Sequence, residues 1–459
     1  MIPPSGKYPR VRSTVRLDMP PIPQLELDLS VPFVATDLEV STITPSSAVI
    51  TWITRRRSKL GKLIPAPVGT GTQLKIGTSK TNLKLVHDDP KPVAFHRVFI
   101  KGLEPGRRYF FAARSGGIGP SPNLHVTRKA GSVERTFSFV TLVPPPGRYL
   151  TSLVLANDIH VGETRQGINL GPWLPTSVAA ANDAYYPETM FRAMLDELDE
   201  RGHPLLLLAG DLTYNGTDPE TERFIQIADS YGRQGTDWLA VRGNHDWPRG
   251  NDPLSKILPY QKLQTMEHSS GLGITGIDTT YKSGGGRISN SQFDELHDVL
   301  SKDPDRPTLS FGHHPVTQDA VKSWPGGQTF MLRRADRLRL QRMHRSCPGV
   351  FLHFSGHTHR MRRNQPDTMG AHTAYLENAA VAAYPGGYSM LHLFEGGYLV
   401  NFWRTSAPQA LAWTYRSRWQ MMGLGPHLTL GKTVDRNHVG YVDLSGLRPT
   451  NAIPEELDI

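Results

Sequence analysis

The chain has 459 residues and a globular composition, so two or three domains are expected and disorder throughout is excluded. Its only cysteine, Cys347, excludes an intramolecular disulfide and therefore a disulfide-stapled secreted fold. The net charge of +9 suits anionic substrates, but it fits equally well with solubility alone.

Membrane and nucleic-acid partners are not expected. The longest apolar runs, such as the one that begins at Pro204, are far too short to span a bilayer. The first ten residues lack the apolar segment of a signal peptide, so a cytoplasmic location is the default expectation. Secretion is expected only if a signal has been removed. No oligomeric state follows from the sequence.

The first third of the chain predicts an arm followed by a β-sandwich. Residues 1–32 are rich in proline and arginine without periodicity, which predicts an extended arm. Residues 33–143 contain short alternating runs between turn signals, which predict a sandwich with Trp52 in its core. The Leu-Glu-Pro-Gly-Arg-Arg-Tyr stretch that ends at Tyr109 resembles the turn into strand F of fibronectin type III domains. That resemblance implies that Tyr109 is a corner tyrosine with a packing role.

The next part predicts a layered α/β domain at 148–404, after a Pro-Pro-Pro-Gly linker. Apolar runs of buried-strand length alternate there with amphipathic segments. Helices are predicted at 187–201, 219–231, 289–300 and 332–345. Residues 374–403 return to strands, expected on the far side of a second sheet. The tail, residues 405–459, is expected to pack back across this domain.

Side chains of the metal-ligand type follow five of the apolar runs, where each predicted strand ends. They are Asp158, His160, Asp211, Asn244, His313, His357 and His359. Ligands gather at the carboxyl ends of strands in layered α/β domains. Three oxygen ligands and four imidazoles suffice for two cations, and the absence of thiolate favours iron, zinc or manganese. The adjacent glycines, Gly210, Gly243, Gly312 and Gly356, allow sharp turns and leave room for metals.

The motif order Asp-x-His, Gly-Asp, Gly-Asn-His-Asp, His, Gly-His-x-His resembles the calcineurin-like metallophosphoesterase superfamily, from residue 150 to about 400. The preceding sandwich and Tyr214 of Gly-Asp-Leu-Thr-Tyr are similar to purple acid phosphatases, in which that tyrosine binds ferric iron. That branch usually begins with Asp-x-Gly, whereas this chain has Asp158-Ile-His160, and other branches use that histidine as a ligand. Either His160 or Tyr214 completes the shell of the first metal, or both approach it, and His160 is favoured.

The resemblance implies two metal ions and a role for each ligand. It assigns Asp158, His160 and His359 to the first metal, Asn244, His313 and His357 to the second, and Asp211 to a bridge between them. Two metals side by side are a device for hydrolysing phosphate esters.

Four further residues are expected around the metals. His245 would face the substrate, oriented by Asp246, because carboxylates commonly orient imidazoles. His314 is expected to be an outer partner or a substrate contact, with His313 preferred as the ligand. Arg360, directly after the last ligand motif, is a candidate contact for the substrate phosphate.

The expected function is hydrolysis of a small phosphorylated substrate, first of all a phosphomonoester, by a hydroxide that bridges the two metals. Protonated His245 would stabilise the developing charge or protonate the leaving group. The first alternative is a phosphodiesterase for cyclic nucleotides or glycerophosphodiesters. A binding protein with a vestigial metal site is a remote second alternative.

Overall fold

The computed structural model describes residues 33–67, 71–167, 177–179, 185–248, 251–282, 284–368 and 370–457. The arm predicted at residues 1–32 lies outside these ranges. No helix within them is both long and apolar enough to cross a membrane.

The first part of the described chain is almost entirely β-structure. Its strands are β1 (Val34–Ile43), β2 (Ala48–Arg57), β3 (Leu63–Pro65), β4 (Thr72–Ser79), β5 (Asn82–Asp89), β6 (Phe95–Ile100), β7 (Arg108–Arg114), β8 (Ser121–Pro122) and β9 (Ser138–Val140). Two one-turn helices, α1 (Leu124–Thr127) and α2 (Val133–Thr136), precede β9. One sheet joins β3, β2, β1 and β8, with β6 paired to β2, and the other has the order β5-β4-β7-β9.

The two sheets share one apolar core, as alternating burial in β6 and β7 requires. Trp52 is buried there, and its indole Nε1 donates a hydrogen bond to Ser115 Oγ over 2.9 Å. The Tyr109 hydroxyl accepts a hydrogen bond from the Glu104 amide at 2.9 Å, which is the geometry of a tyrosine corner. The sandwich architecture is therefore observed, and its assignment to fibronectin type III stays a prediction.

The second part alternates strands with helices. Its elements are β10 (Tyr149–Ala156), β11 (Arg165–Gln166), β12 (Val178–Ala179), α3 (Tyr186–Glu200), β13 (Leu205–Ala209), α4 (Asp218–Tyr231), β14 (Trp238–Val241), β15 (Gln264–Glu267), β16 (Gly273–Ile277), α5 (Asn290–Ser301), β17 (Thr308–Gly312), α6 (Gln318–Ser323), α7 (Arg334–Ser346), β18 (Val350–Ser355), β19 (Arg362–Asn364), β20 (Ala374–Glu377), β21 (Gly387–Phe394) and β22 (Gly397–Arg404). Short 3-10 helices occupy Asn244–Asp246, Pro253–Lys256 and Gly327–Phe330. The four predicted helices begin and end within two residues of α3, α4, α5 and α7.

Local sequence signals explain where these helices begin. Pro187 lies in the first turn of α3, where its missing N–H costs nothing. Thr217 and Glu220 form a capping box at α4. The Ser289 hydroxyl accepts the Gln292 amide at the start of α5 and caps this helix.

Two six-stranded sheets face each other. The first has the order β14-β13-β10-β21-β22-β23, where β23 (Asn437–Tyr441) comes from the tail, and the second has the order β15-β16-β17-β18-β20-β19. Neighbours among β10, β13 and β14, and among β16, β17, β18 and β20, run parallel. The prediction that 374–403 lies on the far side of the second sheet is wrong for β21 and β22. These strands are buried on both faces and extend the first sheet from the edge of β10.

Apolar side chains from both sheets fill the space between them, among them Leu153, Leu207, Phe311 and Phe354. Helices α3 and α4 cover the outer face of the first sheet, and α5 and α7 cover the second. Each large apolar side chain buried in this way contributes about 1.5–3 kcal/mol. The result is a mixed α/β fold of four layers, which confirms the predicted α/β class.

The tail contacts both preceding parts of the chain. It contains α8 (Pro408–Ser417), α9 (Gln420–Gly423), α10 (Gly425–Leu428) and α11 (Thr433–Arg436) before β23. Near its end, the Glu456 carbonyl accepts hydrogen bonds from the hydroxyls of Thr44, Ser46 and Ser47 at 2.9–3.2 Å. The Glu456 carboxylate pairs with Arg201 of the α3 cap at 2.7 Å. The tail thus ties the sandwich to the first sheet.

Candidate metal centre

The predicted ligand residues meet where the parallel strands of both sheets end. Asp158 and His160 follow β10, Asp211 follows β13, Asn244 follows β14, His313 follows β17, and His357 and His359 follow β18. Because β10, β13 and β14 run parallel in the first sheet, and β17 and β18 run parallel in the second, the carboxyl ends of each group lie at one edge of its sheet.

The backbone at these strand ends is strained. Asp158, His160, Asp211, His357 and His359 have φ between +51° and +68°, in the left-handed region that non-glycine residues seldom adopt. Each such residue costs on the order of 1–3 kcal/mol, and residues of this kind cluster at functional sites. Hydrogen bonds hold the turns in place: the amide of Asp158 donates to Gly210 O, and that of His160 donates to Asp211 O, both at 2.9 Å.

Three side chains converge on the first-sheet side. His359 Nε2 lies 3.2 Å from Asp158 Oδ1 and 3.3 Å from His160 Nε2. His160 Nε2 lies 3.7 Å from the same carboxylate oxygen. Asp158 and His160 are buried, so donor atoms with lone pairs face one another away from bulk water.

A second set converges on His313. Its Nε2 lies 3.1 Å from Asn244 Oδ1, 3.2 Å from His357 Nδ1 and 3.1 Å from Asp211 Oδ2. Asp211 Oδ2 also lies 3.7 Å from His160 Nε2, which belongs to the first set. One carboxylate oxygen therefore stands between the two sets of donors.

The neighbouring glycines make room for these donors. A Cβ on Gly243 would lie 2.2 Å from Asp211 Oδ1, one on Gly210 2.7 Å from His313 Nδ1, and one on Gly356 2.6 Å from Asp158 Oδ2. Real Cβ atoms do not approach so closely. Any side chain there would displace the donor side chains themselves, which is a more specific reason for these glycines than space for a metal.

The electrostatics of the centre favour cations. Burial acts to lower the pKa of His160, but the carboxylates of Glu163, Asp158 and Asp211 raise it to about 10. Burial likewise opposes protonation of His313, yet Asp211 raises the pKa of His313 to about 9. Among the residues that the structure describes, neither Asp158 nor Asp211 pairs with a lysine or arginine.

The donor set fits metal ions. Within the described ranges, four groups of three side chains place ligand atoms within 4.8 Å of one another: Asp158, His160 and His359; Asp158, Asp211 and His313; His160, Asp211 and His245; and His313, His314 and His357. The amide oxygen of Asn244 lies 3.1 Å from His313 Nε2. Zinc, iron and manganese accept such mixed oxygen and nitrogen ligands. His357, whose pKa burial and His313 lower to about 3, stays neutral and able to coordinate at physiological pH.

Comparison with known proteins agrees with this geometry. Residues 151–361 match the family model of the calcineurin-like phosphoesterases. This part of the chain is a calcineurin-like phosphoesterase domain. The predicted metallophosphoesterase is thereby confirmed at the level of the family, which uses dinuclear metal centres.

Individual relatives are more distant. A probable cyclic nucleotide phosphodiesterase of Synechococcus sp. is 32% identical over 124 residues, which are 27% of this chain and 47% of the relative. The match thus spans less than half of that relative's length. A dimetal phosphatase from Danio rerio aligns at 12% identity with a TM-score of 0.45, covering 56% of this chain and 98% of that one. A purple acid phosphatase from yellow lupin seeds aligns at 13% identity with a TM-score of 0.39, covering 81% of this chain and 72% of that one.

In the phosphoesterase domain, His245 is fixed at two points. Its amide donates to Asp211 Oδ1 at 2.9 Å, and its Nδ1 lies 2.7 Å from the carbonyl oxygen of Tyr214. A carbonyl can only accept, so Nδ1 carries the hydrogen and Nε2 is the free nitrogen. The His245 ring lies 4.8 Å from that of His160, beside the donor clusters.

The predicted orienting role of Asp246 is wrong. Its buried carboxylate accepts the amides of Leu212, Thr213 and Gly243 at 2.8–3.0 Å, and the Thr213 hydroxyl at 2.7 Å. These four hydrogen bonds use the lone pairs that an imidazole partner would need. Asp246 instead stabilises the turn that carries Asp211, and the Tyr214 carbonyl orients His245.

Tyr214 lies beside the centre with its ring against histidines. The ring stacks on His245 with centroids 5.3 Å apart and an interplanar angle of 21°, and its centroid lies 6.3 Å from that of His160. His160 presents Nε2 to the first set of donors. Which of the two residues completes the shell of the first metal stays a prediction.

His314 and His313 take different directions. His314 Nδ1 lies 2.8 Å from the Thr279 hydroxyl, whereas His313 Nε2 lies among the second set of donors. The His314 ring is fully buried, 4.6 Å from the His357 ring. One of its ring nitrogens lies within 4.8 Å of the ligand atoms of His313 and His357, and its role as an outer partner or a substrate contact stays a prediction.

Arg360 is engaged by protein partners, and its role as a phosphate contact stays a prediction. Its guanidinium forms two 2.7 Å hydrogen bonds to the buried Glu377 carboxylate and two of 3.1 Å to Ser323. Four of its five N–H donors are engaged in this way, and the buried ion pair stabilises the loop after β18. Proximity in sequence to the ligand motif was the reason for the prediction, and the turn after His359 carries Arg360 away from the centre.

Sequence reasoning missed Asn157 and Asn378. Asn157 Nδ2 donates to Asp158 Oδ2 and, at 3.2 Å, to the Asn378 carbonyl, while Asn378 Nδ2 donates to Asn157 Oδ1 at 2.8 Å. This pair fixes the Asp158 carboxylate. A signal for Asn378 was present, because it follows β20 in the same way as the ligand residues follow their strands.

Proposed function

We propose that the chain is a dinuclear-metal-dependent phosphoester hydrolase. The first set of donors, Asp158, His160 and His359, would hold one metal. The second set, Asn244, His313 and His357, would hold the other, and both metals would share Asp211. The single observation that carries the proposal is Asp211 Oδ2, which lies 3.1 Å from one set of donors and 3.7 Å from the other. Bound metals would supply Lewis acidity and lower the pKa of a water molecule.

His245 is the residue that we propose for proton transfer. With Nδ1–H held on the Tyr214 carbonyl, Nε2 is available to a leaving oxygen, and the Asp211 contact fixes the residue beside the cluster. Protonated Nε2 would donate its hydrogen to the leaving alkoxide, a contribution of about 10²–10⁴-fold. Stacking of Tyr214 on the imidazole restrains the ring in this orientation.

Phosphodiesters are the substrate class that we propose, with phosphomonoesters, expected from the sequence, as the alternative. The dianionic phosphate of a monoester gains more from a fixed guanidinium than a monoanionic diester does, and Arg360, the candidate for that role, is paired with Glu377. The phosphodiesterase from Synechococcus sp. that matches part of this chain points the same way.

Two chromogenic substrates test this proposal. Protein loaded separately with manganese, zinc and iron is assayed with bis-p-nitrophenyl phosphate and with p-nitrophenyl phosphate. We expect a higher kcat/KM on the diester, and a higher value on the monoester would replace the proposed substrate class. Asp211→Asn serves as the control against contaminating phosphatases. Hydrolysis of neither substrate by protein that contains both metals would overturn the enzymatic proposal and favour the vestigial site.

A further inference from the structure

A buried group of polar side chains lies behind His359, on the side away from the first set of donors. The Gln166 amide nitrogen lies 3.3 Å from His359 Nδ1, and its amide oxygen lies 3.2 Å from the Tyr186 hydroxyl. The Tyr186 hydroxyl donates to the Glu163 carboxylate. Gln420, from the tail, places Oε1 3.4 Å from Gln166 Nε2. Gln166, Tyr186, Glu163 and Gln420 are all buried.

The chemistry of His359 decides which atom Gln166 presents to it. His359 Nε2 faces Asp158 and His160, so this nitrogen is the one with a free lone pair for a metal. A neutral imidazole then carries its hydrogen on Nδ1 and needs an acceptor there. The amide oxygen and nitrogen have nearly the same shape, so a half-turn of the Gln166 amide puts Oε1 at His359 Nδ1 without moving a neighbour.

The same half-turn suits the other partners. Gln166 Nε2 then donates to the Tyr186 hydroxyl, which in turn donates to Glu163. Burial and the nearby Glu163 charge keep the pKa of Tyr186 well above its usual value, so the hydroxyl hydrogen is retained. Gln420 Nε2 is buried with no hydrogen-bond partner. A half-turn of the Gln420 amide brings this orphaned donor to Gln166 Oε1, which can accept from both sides.

We propose that Gln166 is a positioning residue for His359, and that Gln420 supports it from the tail. This inference rests on the proposed function, since it takes His359 as a metal ligand. Histidines that bind metals donate their second N–H to an acceptor that fixes the ring, and removing such an acceptor costs about 10–100-fold in metal affinity. The tail is anchored elsewhere, because Arg418 pairs with Asp37 of the sandwich at 2.7 Å. Metal affinity in the phosphoesterase domain therefore depends on the tail.

Metal titration of the full chain tests this inference without reference to catalysis. Manganese binding is measured by calorimetry on the metal-free wild type, Gln166→Leu, Gln166→Glu and Gln420→Leu. Gln166→Leu keeps the volume but loses the acceptor, so one of the two metal equivalents should bind about 10–100-fold more weakly while the other is unchanged. Gln166→Glu keeps an acceptor oxygen and should bind like the wild type. Gln420→Leu should weaken the same equivalent by less.

Gln341→Leu is the matched control. Gln341 is a buried glutamine of α7 whose amide bonds to Val316 O and to the Asp367 amide, away from the donors. Unchanged affinity in Gln166→Leu, or equal weakening in Gln341→Leu, would overturn the inference. If Gln166→Leu does not fold, wild-type affinity in Gln420→Leu would overturn the part assigned to the tail, and weak binding by Gln166→Glu would overturn the acceptor role. Protein that binds both metals without hydrolysing phosphoesters would contradict the proposed function alone.

Discussion

Two buried clusters of charged side chains hold this molecule together in different ways. At the junction of sandwich and tail, Glu39 pairs with Arg404 at 2.7 Å and with Arg418 at 3.3 Å, and Asp37 pairs with Arg418 at 2.7 Å and with Arg55. In the metal centre the carboxylates of Asp158 and Asp211 face the imidazoles of His359 and His313 and the backbone amides of His357 and His245. Both clusters lie away from water.

The difference lies in the source of positive charge. A buried carboxylate needs a counter-charge, because desolvation of an unpaired ion is very costly. At the junction, arginine guanidinium groups of the chain supply this counter-charge, so the carboxylates need no bound cation. The metal centre instead surrounds its carboxylates with imidazoles, which are neutral when they bind a metal and positively charged only when they are protonated. Buried acids paired with arginine thus indicate structure, whereas buried acids paired with imidazoles on strained turns indicate a receptor for cations.

The largest expected effect comes from Asp211→Asn. This change removes the carboxylate whose Oδ2 lies near both sets of donors, so hydrolysis should fall to background and metal content should drop from about two equivalents per chain. Elemental analysis and turnover are measured together. Asp336→Asn, another buried aspartate, which pairs with Arg333, is the control and should keep both metals. Full metal content in Asp211→Asn would contradict the proposal that both metals share the Asp211 carboxylate.

His245→Ala separates proton transfer from metal binding. We expect kcat to fall by about 10²–10⁴-fold, the range for loss of a general acid, while metal content stays at the wild-type value. Tyr214→Phe keeps the carbonyl that holds His245 and should retain both metals. A His245→Ala protein with wild-type kcat would exclude His245 from the reaction.

Arg404→Met tests the junction as the structural counterpart. This change removes one positively charged partner of the buried Glu39 carboxylate, so the free energy of unfolding should fall by about 3–5 kcal/mol. Metal affinity of the folded protein should not change. Arg148→Met removes an exposed pair with Glu395 at 2.7 Å and should cost much less, because water and salt screen an exposed ion pair. Urea denaturation measures both, and equal losses would mean that burial does not distinguish the two pairs.

The smallest expected effect is a change in acid sensitivity at the junction. Burial acts to raise the pKa of Glu39, but Arg404 and Arg418 lower it below the usual 4.5. A carboxylate with a depressed folded-state pKa contributes its stability above pH 4.5, and that contribution is lost as the pH falls through the folded pKa. In Glu39→Gln, the free energy of unfolding should therefore decrease less steeply than in the wild type as the pH falls below about 4.5. Denaturation at several pH values measures this, with exposed Glu222→Gln as the control. An unchanged slope in Glu39→Gln would contradict the depressed pKa.

The sequence predicted the metal centre better than its surroundings, for a physical reason. Each ligand motif follows a predicted strand, so Asp158, Asp211 and His313 could be placed near one another from the strand pattern, and the family resemblance implied which metal each would hold. The partners of Asp246 and Arg360 depend on which way a turn carries the side chain, and no sequence period encodes that direction. Gln166 and Gln420 are 254 residues apart, and only the tertiary fold brings them together.

The fold likewise has features that local sequence predicts and features that only the assembled structure reveals. The helices begin at local signals, as the capping box at Thr217 and the first-turn position of Pro187 show in the structure. The assignment of β21 and β22 to the first sheet depends on the free edge of β10, which is a property of the assembled sheet. Strand pairing between distant segments is not visible in a single sequence, although the strands themselves are.

The central claim is that the strand-end donors hold two metals with Asp211 between them. Crystals of manganese-loaded protein, measured at the manganese absorption edge, test it most directly through anomalous scattering. The account predicts two peaks about 3.5–4 Å apart, one beside His359 and one beside His313, each in contact with Asp211. A single peak, or metals bound away from Asp211, would contradict the account.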